Sequence, residues 1–147
     1  MDKLKLSPGN LVILVAGAVM LIASFLAFNK LSIGPFSRSY SAWSSHYFLI
    51  ATIPALIGIV MAAQVALATF APQVKLPDQV LGLTWTQIHL VLGFQATIMM
   101  LAFLIQDTSV LSKGIGLFLM LIAAIALLVG AVLRMQQTPS GSTPPAI

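Results

Sequence analysis

Two histidines, His46 and His89, are the only side chains in this sequence whose ordinary pKa lies near neutrality. Paired imidazoles on membrane helices commonly hold a haem b, so their spacing decides whether that chemistry is open. His46 precedes the second apolar segment, whereas His89 lies about one and a half turns into the third, near the opposite surface. At about 1.5 Å per helical residue they fall roughly 20 Å apart, too far to straddle one iron. Haem would then need two copies of His89 brought together in a dimer; otherwise His89 is a packing histidine. The serines of Ser41-Ala42-Trp43-Ser44-Ser45-His46 put hydroxyls beside an imidazole, but no acid accompanies them to orient it. There is no G-x-S-x-G, no H-E-x-x-H and no phosphate-cradling glycine loop. The acids Asp2, Asp78 and Asp107 fall in termini or loops, and glutamate is absent, so a proton-coupled antiporter lacks its buried carboxylate. Without cysteine there is no thiolate metal site, iron–sulfur site or disulfide. The expectation is a non-enzyme with no catalytic residue, no cofactor and no metal.

The composition explains this chemical poverty. Of 147 residues 59% are hydrophobic and only 7% charged, with a mean hydropathy of +1.04. A soluble domain carries about 25% charged residues to face water, so this chain belongs in a bilayer. The net charge of +4 comes from scattered bases rather than a basic block, which leaves no electrostatic footprint for nucleic acid.

Four apolar segments, at about residues 9–29, 47–71, 84–105 and 113–134, are each near the roughly 20 residues that cross a bilayer. The first is entered through Ser7-Pro8-Gly9-Asn10, with a capping residue and a first-turn proline, and is too long for a cleaved signal core. Pro54 lies inside the second and should bend it. Thr84-Trp85-Thr86-Gln87 matches a capping box at the start of the third. The short polar turn Gln106-Asp107-Thr108-Ser109 predicts antiparallel neighbours. The fold class expected is therefore all-α: four transmembrane helices in an antiparallel bundle, forming one domain over residues 1–135. A long loop between helices 1 and 2, carrying Phe36, Tyr40, Trp43 and Tyr47, should lie along the membrane surface, and 136–147 should be a disordered tail. Lys3, Lys5, Lys75 and Arg134 face one side, against Lys30, Arg38 and Lys113 on the other. That balance favours cytoplasmic termini.

Small residues mark where helices touch in lipid. At about 100° per residue, Ala51, Ala55, Gly58, Ala62, Ala66 and Thr69 share an arc of about 80° on the second helix. Gly116, Ala123, Ala126 and Gly130 do so on the fourth. Such seams serve either packing within the bundle or a partner's docking face. The intramembrane polar residues are Ser24, Gln64, His89 and Gln95, and depth matching predicts the interhelical bonds Gln64 to His89 and Ser24 to Gln95.

The aromatic Ser41-Ala42-Trp43, the Pro54-bent second helix, Leu83-Thr84-Trp85-Thr86-Gln87 and the Gly/Ala-rich fourth helix together carry a loose resemblance. In these features the chain resembles the uncharacterised small four-helix integral membrane proteins of actinobacteria. The resemblance implies a plasma-membrane location, with no defined activity and no functional residue to transfer. The function expected is a non-catalytic subunit that packs against or scaffolds a larger membrane assembly, its partners being lipid and other membrane subunits or its own copies. The alternative is a small oligomeric permease or channel with a polar path from Gln64, Gln87, His89, Gln95 and Thr97; a haem b redox subunit is the third reading.

Overall fold

The first helix, α1 (Pro8–Phe25), begins where the Ser7 hydroxyl accepts the Asn10 amide at 3.3 Å, with Pro8 in the first turn, where its missing N–H costs nothing. A computed structural model describes residues 7–45, 48–106 and 111–137. Three further helices follow: α2 (Ile53–Phe70), α3 (Trp85–Ile105) and α4 (Ile115–Gln137). All four are long and apolar enough to span a membrane. The chain is thus a multi-pass membrane protein. Helix α1 packs on α2 and α4, while α3 packs on α4 and α2. The core between them takes a fully buried methionine from each helix, Met20, Met61, Met100 and Met120, with Leu117 and Leu127. Flexible thioethers fill such irregular gaps well.

Three boundaries differ from the sequence reading. Helix α1 stops at Phe25 rather than near 29, because the next backbone groups are taken up elsewhere: the Phe28 amide bonds the Tyr40 carbonyl at 2.7 Å, and Phe28 O accepts from Gly114 N at 2.8 Å. The second span starts with a π-helical turn, Phe48–Thr52, and α2 proper has Pro54 in its first turn. Proline cannot donate to the carbonyl four residues back, so the preceding turn widens instead of the helix interior bending. Finally, Gln136 and Gln137 belong to α4, and the rest of the expected tail lies outside the described residues.

The expected surface loop after α1 is a β-hairpin. Strands β1 (Asn29–Ile33) and β2 (Phe36–Tyr40) pair antiparallel around Gly34-Pro35, where Gly34 at φ 61° supplies the positive φ that a two-residue hairpin turn requires. The described residues before α4, 111–114, lie near this end, and three of them form a strand on the other edge of β1. At the opposite end β3 (Gln79–Val80) and β4 (Leu83–Thr84) make a short ribbon ahead of α3, and the strand before α4 is β5 (Leu111–Lys113). The three-stranded order is β2-β1-β5. At the root of the hairpin Phe28, fully buried, tilts against Phe103 with centroids 4.8 Å apart. Gly114 sits so close to Ala27 that an added Cβ would lie 2.7 Å from the Ala27 carbonyl carbon.

Close approach also sets the α1–α2 contact. A Cβ at Gly17 would collide with the Ala62 side chain and stand 2.9 Å from the Gly58 carbonyl oxygen, and neither can yield. Gly17→Val is therefore expected to lower the unfolding free energy in detergent by about 1–3 kcal/mol. Ala18→Val, on the exposed face of the same helix, should leave it unchanged.

Candidate functional site

One end of the packed helices collects polar side chains, one from each helix. Arg134, in the last turns of α4, extends across the start of α1, where Gly9 leaves room: a Cβ there would lie 2.7 Å from the Arg134 Cγ. The guanidinium Nη1 reaches the His89 Nδ1 at 2.7 Å. Arginine has only donors, so Nδ1 is the acceptor and the proton of the neutral imidazole sits on Nε2. His89 is 1% exposed, and its Nε2 has no hydrogen-bond partner. Gln64 on α2, 7% exposed, has a buried Oε1 that is equally unpartnered, and Asn10 Oδ1 on α1 is the third such atom at this end. The expected Gln64 to His89 bond is therefore not formed. His89 is instead engaged through its other nitrogen by an arginine that the sequence alone marks only as a helix exit.

Gln64 also lines a cavity of about 570 Å³ between the end of α2, the loop through Lys75 and Asp78, and Trp85, whose indole Nε1 donates to Pro77 O at 2.7 Å. This arrangement can hold a polar group or water. It does not assemble a nucleophile with a base, and no group of three or more His, Cys, Asp or Glu gathers among the described residues. His89 points inward. His46 lies outside the described residues.

The second expected pair, Ser24 with Gln95, is also replaced. Ser24 is fully buried, donates to Leu21 O at 2.6 Å and accepts from the Trp43 Nε1 at 2.9 Å; Trp43 stacks on Phe25 with centroids 5.8 Å apart. The reason is the order of the helices: α1 packs on α2 and α4, so Ser24 and Gln95 face different neighbours. Depth alone could not reveal this. Trp43, expected at the membrane surface, also anchors the chain after the hairpin to the last turn of α1.

The small residues face inward. Ala51, Ala55 and Gly58 are buried, Ala62 and Ala66 half-buried, and Gly58 sits under Met20. On α4, Gly116 lies against the Ala23, Leu26 and Ala27 carbonyls, Gly130 against Ile13 and the Gly9 carbonyl, and Ala123 is 2% exposed. Gly58 and Ala62 on α2, and Gly116 and Gly130 on α4, thus pack against α1 or the residues just after it. Gly93 on α3 meets the Leu127–Leu128 backbone, and Thr97 Oγ1 ties α3 to α4 through Ala124 O at 3.1 Å and to its own helix through Gly93 O at 2.8 Å.

Two glutamines of α3 remain on its outer side. Gln87 closes the capping box, its Oε1 accepting the Thr84 amide at 3.0 Å while Thr84 Oγ1 accepts the Gln87 amide. Gln95 is exposed, and its side chain makes no hydrogen bond among the described residues. No protein-family model, curated protein or solved structure matches this sequence.

The arginine–histidine contact can be measured. His89→Phe should strand the guanidinium donor and cost about 1–3 kcal/mol of stability. Arg134→Met should cost a similar amount, and the double variant less than the sum of the two. Strict additivity in a detergent-unfolding cycle would show that the contact is not energetically coupled.

Proposed function

We propose that this protein is a non-catalytic integral membrane subunit, an antiparallel four-helix bundle in the plasma membrane with cytoplasmic termini, whose outer face docks another transmembrane polypeptide. The observation that carries the reading is Gln95. It lies ten residues from either end of α3, about 15 Å from each surface, and faces outward. A glutamine side chain cannot snorkel that far. Leaving an amide in hydrocarbon without a partner costs roughly 2–7 kcal/mol, so a polar group at that depth calls for protein against it. Interhelical bonds of this kind are each worth about 0.6 to 2 kcal/mol in membranes, enough to favour one docking register.

The distribution of the other polar groups supports a subunit over a permease. Gln87 and Gln95 are exposed while Gln64, His89 and Thr97 are buried, so the five share no common lining. Thr97 and His89 are engaged helix to helix. The core between them is closed by methionine and leucine.

Purification of the tagged chain in mild detergent tests the reading. The wild type should run as an assembly larger than one chain, and Gln95→Leu should shift it to the monomer. A wild-type chain that emerges alone and conducts solute in liposomes would overturn the proposal.

A further inference from the structure

The α3 face that carries Gln95 bears a second amide. Met99, Ala102 and Gln106 follow Gln95 at spacings of 4, 7 and 11, which at about 100° per residue keeps all four within an arc of about 60°. A groove of about 340 Å³ lined by Met99, Ala102, Phe103 and Gln106 runs along it. Gln95, Ala102 and Gln106 are exposed, and neither glutamine side chain is bonded among the described residues. The two carboxamides stand three turns apart, roughly 16.5 Å along the axis.

Resting on the reading above, we infer that the polypeptide covering this face is a second copy of the same chain, joined by a two-fold contact between parallel α3 helices. A carboxamide is both donor and acceptor, so it satisfies its own copy across a symmetry axis. A two-fold axis along the membrane normal brings equivalent residues to the same depth. Gln95 then meets Gln95 at mid-membrane while Gln106 meets Gln106 at the surface, and one alignment satisfies both. An unrelated helix would have to repeat two amides at the same spacing on one face. Ala102 lets the backbones approach between the two pairs, and the groove beside it receives the partner's side chains. From Trp85 to Gln106 there is no Lys, Arg, Asp or Glu, so no like charges oppose each other.

The sequence contains no cysteine, which makes the test direct. Ala102→Cys, which keeps both glutamines, is oxidised in native membranes beside Val60→Cys and Ile125→Cys, outward positions of α2 and α4 near mid-span. The expected result is at least tenfold more disulfide-linked homodimer for Ala102→Cys than for either comparison. Adding Gln95→Leu should reduce it about tenfold without loss of helicity. Homodimer that forms equally at all three positions, or that is indifferent to Gln95→Leu, overturns the inference. A thiol–amine cross-linker separates the two readings. Capture of a different protein at residue 102 overturns self-association but leaves the subunit reading standing. No protein captured, with a residue-102 label quenched by lipid-soluble quencher, overturns both.

Discussion

Hydrocarbon offers no hydrogen bonds and gives apolar helices little reason to associate, so this protein holds together where its backbones come close enough for dispersion to accumulate. That closeness is concentrated on α1. Gly17 accepts Ala62 and the Gly58 carbonyl from α2, while Gly116 and Gly130 let α4 lie against the carbonyls of Ala23, Leu26, Ala27 and Gly9. Once α1 is held from both sides, α3 closes the cluster against α4 through Gly93 and Thr97. The larger side chains, led by the four buried methionines, then fill what remains.

The two ends are tied by different chemistry. At one end a guanidinium from α4 crosses α1 to an imidazole on α3. At the other, the hairpin feeds its backbone into the loop before α4, and Thr52 Oγ1 bonds Ala42 O at 2.6 Å where the chain enters α2. The Lys113 ammonium donates to the Leu104 carbonyl, satisfying one of the acceptors that the end of α3 leaves open. The arginine–histidine contact and the pairing of the hairpin with β5 join elements distant in sequence, and these hold the helices in their order.

Against this economy the exposed amide of Gln95 stands out. Ser24, Thr52 and Thr97 are buried and bonded, and His89 is bonded through one nitrogen. This amide, outside the chain at mid-membrane, is the centre of the docking face proposed above.

Local pattern alone determined the membrane class, the four spans, the capping box at Thr84 and the capped start at Ser7, because hydropathy over 20 residues and a hydroxyl three places before an amide are properties of adjacent residues. The small-residue seams were equally visible as stripes, but which neighbour lies on them was not, since a stripe carries no address. The polar pairs failed for the same reason. Depth placed Gln64 beside His89 and Ser24 beside Gln95, whereas tertiary structure gave His89 to Arg134 and Ser24 to Trp43. The third strand of the hairpin's sheet was hidden too, because β1 pairs with β5 some eighty residues away. The sequence wrote the rods and their caps; only packing, which selects among partners at equal depth by helix order and side-chain reach, decided which polar groups are satisfied and which are left facing out.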